Sequence, residues 1–272
     1  MRYPRQMTLE LTARCNFRCP YCYCYGHVSH GLVAKELDTV DWKAVLDSCA
    51  ANGVNDILFT GGEALLRPDL FKIINHAKRV LPSALLAVFT NASRLTETLI
   101  RRFKRLRVHI ATSLQGLSTY GAMTGTRRSC DSILEIIARA AELKWPVAVS
   151  ITVTKANLNE APDIFAAAAL MGAKSIQIGP VMAEGRALEH PELMISRKEW
   201  AKAKDSIRAL PDTHVPYSFC NEFICTCRDD LPAAIRRKWR DPNPSPCAAG
   251  KDFGVIGPDG RYRKCLHANP KQ

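Results

Sequence analysis

Three thiols stand close together near the start of the chain. Cys15, Cys19 and Cys22 follow a C-x3-C-x2-C spacing directly after an apolar run at 7–11. Cysteine thiolates hold iron–sulfur clusters, and a four-iron cubane ordinarily takes four of them. Three ligands leave one iron with an open position, so such a cluster can act on a bound molecule as well as carry electrons. A Cys3His zinc site made from these thiols with His27 or His30 is the competing chemistry. The x3-x2 spacing is less typical of zinc knuckles, which more often use paired C-x2-C.

Two further groups have chemical potential. Thr60-Gly61-Gly62-Glu63 follows an apolar run; its glycines let backbone approach a ligand, and its carboxylate would neutralise an ammonium. Taken alone, this tetrapeptide is more often only a turn. In the tail, Cys247 and Cys265 belong to a C-x12-G-x4-C pattern around Pro258-Asp259-Gly260. Pro-Asp-Gly predicts a turn between two short strands, which brings the two thiols across a hairpin. A structural zinc hairpin would use the same residues. Cys220, Cys225 and Cys227 lie upstream as additional candidates.

The elements that position these groups are legible from periodicity. Strands are expected over 7–11, 56–60, 85–90, 108–113, 147–153 and 175–178. Helices are expected over 41–52, 69–80, 95–106, 130–144 and 161–171. Six β-α units with short links build a parallel sheet with helices packed outside. Ligands in such folds sit at the carboxyl ends of the strands. The Cys triplet, Gly61-Gly62-Glu63, Asn91 and Ser113 all fall at those ends. A helix over 196–210 follows. Beyond Pro211 prolines and cysteines cluster and periodicity fades apart from 231–240, which predicts a boundary between units 1–210 and 211–272.

Composition narrows the class. With 47% hydrophobic and 24% charged residues the chain reads as an ordinary globular protein. No segment approaches the ~20 apolar residues of a membrane span, and 1–4 show no apolar stretch of a secretory signal. Eleven cysteines in such a chain argue for a reducing compartment, hence the cytoplasm. The net charge of +12 is either a solvated surface or an attraction for an anionic partner. Aromatic residues are not interleaved with the basic runs, which argues against stacking on single-stranded nucleic acid.

Taken together, the Cys triplet with Tyr21 before its third thiol, Gly61-Gly62-Glu63 and the tail pattern resemble the radical S-adenosylmethionine (radical SAM) superfamily. The resemblance runs from Met7 to His267. It implies an α/β fold, a partial (β/α)6 barrel with a small Cys-rich C-terminal extension. It implies a [4Fe-4S] cluster on Cys15, Cys19 and Cys22, with Cys24 a bystander. In the family the open iron binds SAM, whose reductive cleavage yields a 5′-deoxyadenosyl radical that abstracts hydrogen from a substrate.

By the same resemblance Tyr21 contacts adenine, Gly61, Gly62 and Glu63 meet the methionine moiety, and Ser113 contacts SAM. Val181, in Ile178-Gly179-Pro180-Val181, belongs to the segment whose backbone meets adenine. Ala64 replaces the usual proline, Gln115 an aspartate, and Thr124-Gly125 an Arg-Gly pair. Cys247 and Cys265 resemble the opening of a SPASM or twitch extension, implying an auxiliary iron–sulfur cluster. The further cysteine block of a full SPASM domain does not appear before Gln272, which implies a shortened region. Sulfatase-maturing relatives carry an acidic residue after the second hairpin Cys; Leu266-His267 stands here and counts against that activity.

The expected function is radical modification of a peptide or protein side chain, with an acidic electron donor such as a flavodoxin or ferredoxin. A small molecule or cofactor precursor is the alternative substrate. A zinc-stabilised basic RNA-binding protein is the alternative of another class.

Overall fold

The computed structural model describes residues 3–24, 36–220, 222–223, 233–239 and 247–268. Six strands run parallel and neighbour one another in chain order: β1 (Gln6–Glu10), β2 (Asp56–Thr60), β3 (Leu85–Phe89), β4 (Val108–Ser113), β5 (Ala148–Val153) and β6 (Ser175–Pro180). Between them lie α1 (Thr39–Ala51), α2 (Leu70–Val80), α3 (Glu97–Leu106), α4 (Tyr120–Thr124), α5 (Asp131–Glu142) and α6 (Ala161–Leu170). The expected α/β order is present, with boundaries shifted by a residue or two. The short α4 carries too few residues to show a helical period, and it escapes a reading by pattern.

Alternation along the strands explains the layering. In β4, Val108 and Ile110 are buried on one face, while His109, Ala111 and Ser113 are half-buried on the other. The buried parity of β2 to β6 packs on helix stripes such as Trp42, Leu46 and Cys49 of α1 and Ile100 and Phe103 of α3. Towards the carboxyl ends of β2 to β6 the other parity lines one cavity, through Thr60, Phe89, Ser113, Ser150 and Gln177, and the sheet curves around it. This is the partial barrel that the resemblance implies.

After α7 (Arg197–Arg208), the three-residue β7 (Tyr217–Phe219) pairs parallel with β6. The helix expected over 231–240 is α8 (Ala233–Trp239). The tail hairpin forms as expected: β8 (Phe253–Ile256) runs antiparallel to β9 (Tyr262–Arg263). It does not stand apart, because β8 pairs in parallel with β1 and lengthens the sheet on that side. An ion pair between Glu10 and Arg263, 3% and 6% exposed, fastens the hairpin to β1. Among the described residues no helix is long and apolar enough to cross a membrane.

Candidate active site

The Cys loop leaves β1 and is stitched to the end of β2. Gly62 N donates to Thr12 O (2.6 Å) and Glu63 N to Arg14 O (2.8 Å). A Cβ on Gly61 would overlap the Thr12 carbonyl, and one on Gly62 the Arg14 carbonyl. The glycines are therefore needed for contact between two backbones, in addition to any ligand. Two other segments close on the loop. Arg18 N donates to Thr124 O (3.0 Å), and Gly125, in left-handed backbone at φ 64°, packs on Arg18. Arg186 N donates to Cys22 O (2.9 Å), and its Nη1 reaches Cys19 O (3.4 Å).

Cys15, Cys19 and Cys22 line one cavity of about 380 Å3. Tyr21, Gly61, Gly62 and Ser113 line it too, as do Asn91, Gln115 and Thr124. Burial pushes the thiol of Cys15 up, that of Cys19 to about 12 and that of Cys22 to about 11. Burial likewise raises the Tyr21 phenol, helped by Cys19. Such thiols keep their protons at neutral pH unless a cationic centre takes their place. Among the described residues, no three His, Cys, Asp or Glu are gathered as ligands of one metal ion. A cubane, by contrast, offers each thiolate a separate iron, and this donor set fits it. His27 and His30 lie outside the described residues.

Glu63 is engaged by the protein's own donors. It is 1% exposed and does not line the cavity. Its carboxylate accepts from Leu65 N (2.9 Å), Thr90 Oγ1 (2.7 Å) and Asn91 N (2.7 Å). Burial raises its pKa against these hydrogen bonds. Val181 is also buried away from the cavity, its N–H donating to Val153 O (2.8 Å), while Gly179 and Pro180 line the wall. Gln115 has a structural use: its Oε1 accepts from Thr152 N (2.6 Å), tying the end of β4 to β5.

Among the other cysteines, Cys24 is buried and lines the cavity, and so does half-buried Cys220. Cys265 is buried beyond β9 and Cys247 is exposed; Cys225 and Cys227 lie outside the described residues. Ser150, Gln177 and His267 line the cavity without having been singled out by sequence. For Ser150 and Gln177 the signal was present: Ala148-Val-Ser-Ile-Thr152 and Ser175-Ile-Gln-Ile-Gly179 alternate with period two, placing both on the face of Ser113. His267 carries no such local signal.

A curved parallel sheet with three thiols at the carboxyl end of its first strand defines an α/β fold whose first loop fits an iron–sulfur centre. The chain belongs to the radical SAM superfamily, whose family model matches residues 9–168. It is a radical SAM enzyme, and the cofactors of that chemistry are a [4Fe-4S] cluster and SAM. Membership sets aside the zinc-stabilised RNA-binding reading. A PqqA peptide cyclase of Gluconobacter oxydans is 27% identical over 271 residues, covering 96% of this chain and 70% of the relative. An AdoMet-dependent heme synthase of Methanosarcina barkeri is 25% identical over 274 residues, covering 96% and 76%. Among solved structures, Streptococcus suis SuiB bound to precursor peptide SuiA superposes with a TM-score of 0.71 at 13% identity. That match covers 98% of this chain and 60% of SuiB, and it shows the fold.

Proposed function

We propose that this enzyme cleaves SAM reductively and modifies a side chain of a peptide or protein. Cys15, Cys19 and Cys22 hold the cluster, which when bound supplies the electron that releases a 5′-deoxyadenosyl radical from SAM. Tyr21, Gly61, Gly62 and Ser113 bound the SAM site, and the segment ending at Val181 closes it. Glu63 acts from beneath, fixing Asn91 and the glycine turn. Arg186 holds the Cys loop shut by gripping two of its carbonyls. Cys247 and Cys265 are proposed ligands of an auxiliary cluster, with a contribution from 220–227. The reductant is an acidic flavodoxin or ferredoxin, and the setting is the cytoplasm; the net charge of +12 and the eleven cysteines support these two readings.

The observation that carries the substrate class is the cavity's neutrality. In a chain of net charge +12, none of the described residues lining it is Asp, Glu, Lys or Arg. Serine, threonine, asparagine and glutamine side chains suit the amide groups of a peptide, whereas the carboxylates of a tetrapyrrole would find no fixed cation there. The PqqA peptide cyclase and the SuiB–SuiA complex support this reading; the heme synthase supports a small-molecule substrate. The test is anaerobic incubation of the reconstituted enzyme with SAM, reductant and short peptides encoded beside its reading frame. Peptide-dependent 5′-deoxyadenosine and a mass change in the peptide are expected. Turnover stimulated only by a porphyrin or another small molecule would overturn the reading.

A further inference from the structure

The inner face of the sheet carries a row of polar side chains, of which only Ser113 has been assigned to the cofactor. Parallel register sets Ser113 beside Ser150, Ser150 beside Gln177, and Gln177 beside Ser218. Four adjacent strands, β4 to β7, thus present Ser, Ser, Gln and Ser at one level. Strands lie about 4.8 Å apart, so the row is about 14 Å long. Ser113, Ser150 and Gln177 line the cavity, and Ser218 continues the row onto β7, the outermost strand on that side. Gln177 and Ser218 are exposed, although Ile176 and Ile178 on either side of Gln177 are buried. Among the described residues none of these four side chains has a hydrogen-bond partner. Phe89, 42% exposed, lines the same cavity from β3.

Hydroxyls and a primary carboxamide each donate and accept, and none carries charge. A peptide main chain offers the same mixture of donors and acceptors. We propose that Ser150, Gln177 and Ser218 form a track for the main chain of an uncharged substrate segment, leading from β7, the last strand on that side among the described residues, to the thiol-lined cavity. At about 3.3 Å per residue, a row of this length receives about four residues of extended peptide. Phe89 offers an apolar surface to a side chain of that segment. Ser113, at the inner end, remains with the cofactor. This inference rests on the peptide reading and names the part of the site that would recognise the peptide.

The test uses the reconstituted enzyme with SAM bound and a pool of uncharged decapeptides capped at both ends. Peptides retained on the protein are identified by mass, and a tetracarboxylate porphyrin serves as the competing probe. Gln177→Ala is expected to lower peptide retention at least tenfold and Ser218→Ala severalfold, with SAM affinity held and melting temperature unchanged. Gln177→Glu keeps the volume but adds charge, and is expected to lose the neutral peptides as well. Retention by all variants equal to wild type would overturn the track and leave the peptide reading standing. Weakened SAM binding in Gln177→Ala would assign that residue to the cofactor and overturn the track too. A wild-type protein that retains no peptide, whatever it does with the porphyrin, would sink the peptide reading and the track with it.

Discussion

Cys19 and Cys22 carry thiols raised to about 12 and about 11 by burial, so as proposed cluster ligands they would ionise only as a metal replaced their protons. Replacing Cys15, Cys19 and Cys22 together by Ala should remove about four irons, the content of one cubane, and abolish SAM cleavage. Cys24→Ser should keep both, although Cys24 lines the same cavity. Iron retained by the triple variant at the wild-type level would refute the ligand assignment. Glu63 poses a different problem, since its buried carboxylate satisfies three donors and does not line the cavity. Glu63→Ala should therefore cost about 1–3 kcal/mol of stability through unpaired donors, and weaken SAM binding by releasing Asn91. Glu63→Gln keeps one acceptor oxygen and should lose less of both. Denaturant melts beside SAM titrations check this; an alanine variant with normal stability but poor SAM affinity would return Glu63 to direct ligand contact.

The elements hold these residues through a few long-range fastenings. Glu10 on β1 and Arg263 on β9 are both buried, and their pairing decides where the hairpin sits. Removing one member leaves a buried charge uncompensated, so Glu10→Ala should cost about 3–5 kcal/mol. The double change Glu10→Ala with Arg263→Met should recover much of that, which separates charge from packing. A second fastening is sensitive to acid. Arg67 grips Asp69 through Nε (2.9 Å) and Nη2 (2.6 Å), and its Nη1 donates to Leu11 O (2.7 Å) and Leu37 O (3.0 Å). The hydrogen bond from Arg67 lowers the Asp69 pKa to about 2. A depressed carboxyl contributes stability that is complete above its ordinary range near 4 and is lost as pH falls towards 2. Asp69→Asn should flatten the stability profile in that window, as urea melts from pH 5 to 2 would show.

The strand order was legible because period two and period 3.6 alternate cleanly from Met7 to Ile178. The Cys loop was legible because its three thiols are adjacent in sequence. Glu63's placement was not, since Thr90 and Asn91 come from another strand end 27 and 28 residues away. Nor was β7, whose three residues are too few for a pattern, or the joining of the hairpin to β1 across more than two hundred residues. Local chemistry writes itself into spacing; pairing between distant segments does not.

At the scale of the whole molecule, neutrality inside and positive charge outside divide the work. The cavity's described lining holds no Asp, Glu, Lys or Arg, whereas the Cys loop is ringed by exposed Arg14, Arg18, Arg127 and Arg128. Arg127 and Arg128 follow Gly125, which packs on that loop. A reductant must approach the cluster closely, and a rim with an excess of positive charge, Arg14 alone being paired with Glu36, would steer an acidic protein there. Exposed charges are screened beyond ~10 Å at 0.1 M salt. Raising salt from low to moderate should thus slow turnover driven by flavodoxin or ferredoxin, and the double change Arg127→Ala with Arg128→Ala should slow it about tenfold at low salt. SAM cleavage driven by photoreduced deazaflavin, a small reductant without an extended acidic face, should change much less in either case. Equal salt sensitivity with both reductants, or an unaffected double variant, would return these arginines to the role of a solvated surface.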